Sequence, residues 1–206
     1  MSELSEDDLA REPVTQFGIW FEEVVAAGEP EPEAMCLSTA TPEGVPSARM
    51  VLLKAYDVEG FVFYTNGGSA KGAELLANPR AALTWRWRLL ERQVRVTGSV
   101  QAITPEESDA YFATRARGSQ LGAWASEQSS VIPVESGRPA RAALDAAFAE
   151  AEQRFAGGPV PRPPYWGGFR VAPDSLELWQ GQPNRLHDRL RYRRDGDGWV
   201  VERLFP

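Results

Sequence analysis

Apolar positions fall at helical spacing once near the start of the chain and at strand spacing through most of the remainder. In TQFGIWFEEVVAA (residues 15–27), Phe17, Trp20, Phe21, Val24 and Val25 recur every three to four residues, which predicts a helix. Gly28 stands where a left-handed cap would close it. AMCLSTA, VPSARMVLLKAY and FVFYT then read as three strands, joined by tight hairpins at TPEG and DVEG. AALTWRWRL and RQVRVTGSVQAI continue the meander, the latter alternating through Val94, Val96 and Val100. Thr104-Pro105-Glu106-Glu107 has capping-box spacing with Pro at the first helical position, so a helix is predicted from there to about Arg115. The Ala-rich stretch from Arg138 to Phe155 predicts another, and GGPVPRPP a stiff, exposed connector. GFRVA, SLELWQ, RLRYRR and WVVERL return to strand. The expected fold class is mainly β with helices (α+β): an antiparallel sheet curled into a barrel and decorated by helices. One domain over residues 1–206 is expected, with residues 1–12 a disordered arm.

Composition narrows the function classes. The 206 residues carry 22 Lys and Arg against 29 Asp and Glu, a net charge of −7, which argues against a general nucleic-acid binder. No apolar run approaches the roughly 20 residues that span a bilayer, and MSELSEDD is no secretory signal, so a cytoplasmic protein without a membrane partner is expected. Cys36 and His187 are the only cysteine and histidine, which excludes an intrachain disulfide and His- or Cys-rich metal sites.

Three stretches carry candidate chemistry. In FVFYTNGGSAKGAELL a strand ends in a Gly-containing turn and a helix opens at Ser69. Backbone N–H groups, Ser69 and Lys71 could converge there on an anion. The plainer reading makes Ser69 a helix cap and Lys71 a solvated charge. In SARMVLLK, Arg49 and Lys54 are separated by an odd number of positions, so a regular strand sends them to opposite faces; both could equally be edge charges that oppose aggregation. In WQGQPNRLHDRLRYRR, five arginines lie between Pro183 and Arg194 against one aspartate. Arg185, His187 and Arg189 share one face of a strand and read as ligand contacts, whereas Arg191, Arg193 and Arg194 read as a solvated strand. Among the tryptophans, Trp85, Trp87, Trp124, Trp166 and Trp179 could stack on a planar group, although most tryptophans are core residues.

Taken together, RMVLLKAYD, GFVFYTN, LERQVRVTGSV, YFATRARGSQLGAWASEQSSVI, VPRPPYWGGFRV and LELWQGQPNRLHDRLRY resemble the pyridoxamine (pyridoxine) 5′-phosphate oxidase family, over about Pro13 to Pro206. The resemblance implies a split β-barrel homodimer that holds two molecules of flavin mononucleotide (FMN) at the subunit interface. It implies oxidation of pyridoxine or pyridoxamine 5′-phosphate to pyridoxal 5′-phosphate, with O2 as acceptor and H2O2 as product. Carried over residue by residue, FMN contacts fall on Arg49, Met50, Val51, Leu52, Leu53, Lys54, Tyr64, Thr65, Lys71, Gln93, Gln128, Ser129, Trp179 and Arg189. Substrate contacts fall on Lys54, Tyr111, Arg115 and Ser119 for the phosphate and on Arg185, Leu186 and His187 at the ring, with Arg185 and His187 the catalytic pair.

Two departures stand out against the family pattern. Ala70 occupies a position where many members carry an arginine that meets the FMN phosphate, and many members have a longer basic arm before the first helix. Two rival readings accompany the oxidase: a flavin oxidase of the same fold acting on another aromatic substrate, as in phenazine biosynthesis, and a non-catalytic FMN- or pyridoxal-phosphate-binding module.

Overall fold

A computed structural model describes residues 3–132 and 139–206. The first helix, α1 (Pro13–Ala26), buries Phe17, Trp20 and Val24 and is closed by Gly28 at φ 80°, as its spacing predicts. The strands are β1 (Ala34–Ala40), β2 (Pro46–Leu52), β3 (Ala55–Asp57), β4 (Gly60–Asn66), β5 (Arg80–Trp87), β6 (Arg92–Ala102), β7 (Trp166–Gln180), β8 (Asp188–Asp195) and β9 (Gly198–Arg203). Helices α2 (Ala70–Ala77), α3 (Pro105–Thr114), α4 (Arg117–Ala125) and α5 (Ala140–Arg154) fill the connections.

Every strand pairing is antiparallel, in the order β2-β1-β5-β6-β7-β4-β3. The long strand β7 organises the sheet. One of its edges runs the length of β6, while the other is divided: Trp166–Val171 pairs with β4 and Ser175–Gln180 with β8. Gly98 lets β6 and β7 meet at the irregularity in their register, since a Cβ there would lie 1.9 Å from the Ala172 carbonyl oxygen. The sheet therefore curls rather than extends. Its inner face packs Phe17, Phe61, Trp85, Trp87, Leu83, Val96 and Leu178 into the main core. A second apolar cluster, Phe112, Leu121, Ala151, Val160 and Trp166, ties α3, α4 and α5 to the start of β7. The mixed α+β half-barrel is the expected fold class.

Three expectations need correction, and one helix is unforeseen. VPSARMVLLKAY is two strands, because Leu53 turns into the core and the Lys54 N–H bonds to the Val62 carbonyl, so pairing passes from β1 to β4. Helix α4 falls on RGSQLGAWA, a stretch with two glycines to which the sequence pattern assigns no element. The GGPVPRPP connector is exposed at most of its positions, as expected, but it is also anchored: Val160 and Pro163 are buried, the Trp124 indole donates to the Pro161 carbonyl, and Arg162 pairs with Asp109. Finally, part of the segment expected to be a disordered arm is tied down. Ser5 caps a 3-10 turn over Glu6–Asp8, and Arg203 binds both Glu6 and the Leu4 carbonyl. Of the helix expected over Arg138–Phe155, Arg138 lies outside the described residues, and α5 covers most of the rest.

Candidate active site

A cavity of about 760 Å³ opens where β2, the end of β4, the start of α2, α3, α4 and the loop after α4 meet. That lies within the range usual for small-molecule sites. Arg49, Lys54, Lys71 and Arg115 line it, and among the described residues none of the lining side chains is acidic.

Lys71 is the deepest of these cations. It sits in the first turn of α2, and Ser69 caps that helix through its hydroxyl. The lysine is 7% exposed, and its Nζ donates to Thr65 Oγ1, Ser69 Oγ and Gln128 Oε1, each at 3.1 Å. All three partners are neutral. Burial, with Arg49 nearby, lowers its pKa, and Glu74 opposes the shift. Ser69 is thus the cap of the plainer reading, but Lys71 is no solvated charge. Gly72 allows this tight corner, because a Cβ there would meet the Gly67 carbonyl oxygen at 2.2 Å.

Arg49 is held from behind. Its guanidinium pairs with Glu74 at 3.0 Å and also donates to Thr39 and Ser47. Glu74 in turn accepts from Thr39 and Ser47, and these bonds keep its pKa low despite partial burial. Arg49 and Lys54 border the same cavity, and strand parity does not relate them, because β2 ends at Leu52, between the two.

The opposite wall is aromatic. Tyr64 and Tyr111 stack at 3.9 Å between ring centroids, and Trp166 continues the stack 5.3 Å from Tyr64. Burial raises both phenolic pKa values, so both hydroxyls remain protonated donors at neutral pH. Arg115 lies over Trp166 at 4.7 Å, and its Nη1 is buried with no hydrogen-bond partner. Burial pushes its pKa down, opposed by Tyr111. An unpaired guanidinium nitrogen and a buried lysine surrounded by neutral oxygens are costly unless an anion joins them.

The expected site residues separate into two groups. Arg49, Met50, Val51, Leu52, Lys54, Tyr64, Thr65, Lys71, Tyr111, Arg115, Ser119, Gln128 and Ser129 all line the cavity. Leu53 does not; it is a core residue. Gln93, Trp179, Arg185, Leu186, His187 and Arg189 also lie outside the cavity lining. They fall on or beside the β6–β7–β8 surface instead: Gln93 pairs with Trp179 and Trp179 with Arg189 in register, and the His187 ring lies 4.5 Å from Trp179. The shared strand face expected for Arg185, His187 and Arg189 is absent. Arg185 belongs to a 3-10 turn, His187 to the loop after it, and only Arg189 to β8. Arg191 and Arg193 pair with Glu202 on β9 and Arg194 lies over Trp199, as a solvated strand would. Trp85 and Trp87 are core residues.

Sequence reasoning misses Asn66, Gly122, Ala123 and Ser126 in the lining. The available signal is the small-residue period Ser119, Gly122/Ala123, Ser126, which leaves room along one face of α4. Ser129 adopts φ 76°, and this loop conformation comes directly after Gln128, the acceptor for Lys71.

Comparison with known proteins identifies this arrangement. Residues 21–155 match the family described as pyridoxamine 5′-phosphate oxidase, and residues 166–206 match the pyridoxine 5′-phosphate oxidase C-terminal dimerisation region. The chain belongs to the pyridoxamine 5′-phosphate oxidase family. A pyridoxine/pyridoxamine 5′-phosphate oxidase of Rubrobacter xylanophilus is 60% identical over 98% of this chain and 91% of its own length. Another of that name from Salinispora arenicola is 59% identical over 98% and 90%. Among solved structures, PhzG from Burkholderia lata, in complex with tetrahydrophenazine-1-carboxylic acid, superposes with a TM-score of 0.91 at 33% identity, covering 100% of this chain and 99% of that one. As a member of the pyridoxamine 5′-phosphate oxidase family the protein is an oxidoreductase, and residues 166–206, which hold β7, β8 and β9, form its dimerisation region.

Proposed function

We propose that the protein oxidises pyridoxine and pyridoxamine 5′-phosphates to pyridoxal 5′-phosphate, with O2 as electron acceptor. FMN is the cofactor, and the working unit is a homodimer. When bound, FMN would supply the acceptor for the hydride lost from the substrate C4′ carbon and would pass both electrons to O2, which becomes H2O2 on taking up two protons. The alcohol would then leave as the aldehyde with loss of its hydroxyl proton, whereas the imine formed from the amine would take up water and release NH3. The observation that carries the substrate reading is the unpaired, buried Arg115 Nη1, in a cavity shared with the Tyr111 and Ser119 hydroxyls and Lys54. Two cations and two hydroxyls suit a phosphate dianion.

The cavity's chemistry fits FMN as well. Lys71, Arg49, Gln128, Ser129 and the first amides of α2 would hold its phosphate, and Met50 to Lys54, Tyr64 and Thr65 the rest of that side. Gln93, Trp179 and Arg189 from a second copy would close over FMN. Arg185 and His187, with Leu186 between them, would hold the substrate ring, and Arg185 would stabilise charge at its edge. Division of the expected residues into two separate surfaces supports this reading, because a site shared across an interface needs each chain to offer both.

A second reading has its own support, the likeness to PhzG crystallised with an aromatic carboxylic acid. The two differ in the anion they need: a phosphate dianion or a carboxylate. An oxygen electrode decides. With pyridoxine and pyridoxamine 5′-phosphates, O2 uptake with matching H2O2 is expected, and unphosphorylated pyridoxine should have a kcat/KM at least about tenfold lower, the loss of one charge-assisted contact or more. Equal rates on both forms would refute the phosphate assignment, and FMN binding without peroxide would favour a non-catalytic module.

Ala70 supplies a further test. It borders the cavity at the first position of α2. Neither Arg80 nor Arg86 replaces the contact that many members make there: both lie outside the cavity lining, Arg80 pairs with Asp174, and Arg86 bonds to the Trp87 and Arg92 carbonyls. Ala70→Arg is therefore expected to tighten FMN by roughly five- to thirtyfold, the effect of about 1–2 kcal/mol. Titration of the apoprotein measures it. Unchanged affinity would mean that the existing donors already satisfy the phosphate.

A further inference from the structure

The loop from Gly181 to His187 is strained. Asn184 and Arg185 take φ of 59° and 63°, a left-handed conformation that side-chain-bearing residues occupy only when their surroundings hold them. One carboxylate does much of that holding. Asp188, buried at the start of β8, accepts from Gln182 Nε2 at 2.7 Å, from the Leu4 N–H at 3.2 Å and from Arg203 Nη1 at 2.8 Å. Gln182 in turn donates its backbone N–H to His187 Nδ1 at 3.1 Å. Arg203 reaches past Asp188 to Glu6, with bonds of 2.9 and 2.8 Å, and to the Leu4 carbonyl at 2.7 Å. Glu6 and Leu4 thus brace Arg203, Arg203 braces Asp188, and Asp188 braces the residue that bonds to the imidazole. None of these four residues lines the cavity.

We propose that Asp188 is a positioning residue for His187, backed by Arg203 and the chain segment Leu4–Glu6. By fixing Gln182, it keeps an N–H pointed at Nδ1, so the neutral imidazole carries its proton on Nε2 and presents a donor on the side away from the loop. Residues at the two ends of the chain thereby set the orientation and tautomer of the only histidine. The inference rests on the reading of His187 as a ring contact.

Because the chain has a single histidine, untagged FMN-loaded dimer labelled with 15N-histidine gives one imidazole signal pair. In the natural sequence the neutral ring should show a protonated Nε2 and an unprotonated Nδ1. Asp188→Asn keeps the volume but removes the charge, and should average the two nitrogens. Arg203→Lys loses the fork that bridges Glu6 and Asp188 and should give a smaller change, which keeps the test available if Asp188→Asn folds poorly. In anaerobic mixing, Asp188→Asn should slow flavin reduction about fivefold, the worth of one ordinary hydrogen bond, without altering FMN affinity. It should cause no further slowing in the His187→Ala background, because a residue acting through His187 has nothing left to position. Unchanged nitrogen signals in both variants, or losses that add in the double variant, would overturn the proposal. Wild-type flavin reduction in His187→Ala alone would instead overturn the ring-contact reading, with the nitrogen signals still deciding whether Asp188 sets the tautomer.

Discussion

Replacing Arg115 with methionine is expected to raise the KM for pyridoxine 5′-phosphate by about tenfold or more and, at the same time, to raise the melting temperature of the FMN-free protein. The two effects have one cause. Without a ligand, Arg115 is half-buried, with Nη1 out of water and unpaired and burial acting against its charge. An unsatisfied buried donor costs about 1–3 kcal/mol. Contact with the Trp166 face returns part of that, and methionine would retain much of the packing through its polarisable thioether. Relief of the remainder should show as a rise of a few degrees, since each kcal/mol moves the transition of a chain this long by about 2–4 °C. With a phosphate bound, the balance reverses: one or two charge-assisted bonds, roughly 1.5–3 kcal/mol each, disappear. Steady-state kinetics and calorimetry on the same preparation test both signs. A lower melting temperature with an unchanged KM would make Arg115 a structural residue that braces α3 against β7.

Elements that declare themselves by local pattern are legible in the sequence. Helix α1 shows its period, α3 its capping box and Pro105, and α2 its Ser69 cap. Helix α4 is hidden because its lining face is built from Ser119, Gly122, Ala123 and Ser126, whose small side chains leave space for a ligand and so carry no hydrophobic signal. Strand parity does not apply in two places for a shared reason: neither Arg49 to Lys54 nor Arg185 to Arg189 is a regular strand. The first breaks where Leu53 enters the core, and the second opens on a left-handed residue. Both breaks depend on partners outside the segment, Glu33 and Val62 in one case and Leu4 and Arg203, which hold Asp188, in the other. Resemblance picks out thirteen residues that do line the cavity, because side-chain chemistry survives in motifs even where backbone path does not. That the remaining residues fall on a second surface of the same chain cannot be read from spacing at all.

Lys71→Met should be the most damaging single change at the FMN phosphate, and its pH signature separates it from a packing defect. Three neutral oxygens hold the ammonium group in place, and Arg49, the nearest other cation, is already matched by Glu74. Of the two cations assigned to the FMN phosphate, Lys71 is therefore the one without an acidic partner, and its loss should weaken FMN by roughly ten- to a hundredfold, the range for a charge-assisted bond. The lowered pKa sets the sign of the pH dependence. Between that value and the ordinary lysine value, the unfolded chain binds more protons than the folded FMN-free protein, so stability rises with pH across that window. A bound phosphate restores the lysine's preference for its proton, so FMN binding takes up a proton there and affinity falls over the same window. Two opposite slopes, one in melting temperature without FMN and one in FMN affinity, thus belong to a single amine, and both should vanish in Lys71→Met. Calorimetric titrations in buffers of different ionisation enthalpy measure the proton uptake directly. If the variant keeps the natural slopes, another group titrates in that window, and the phosphate is held elsewhere.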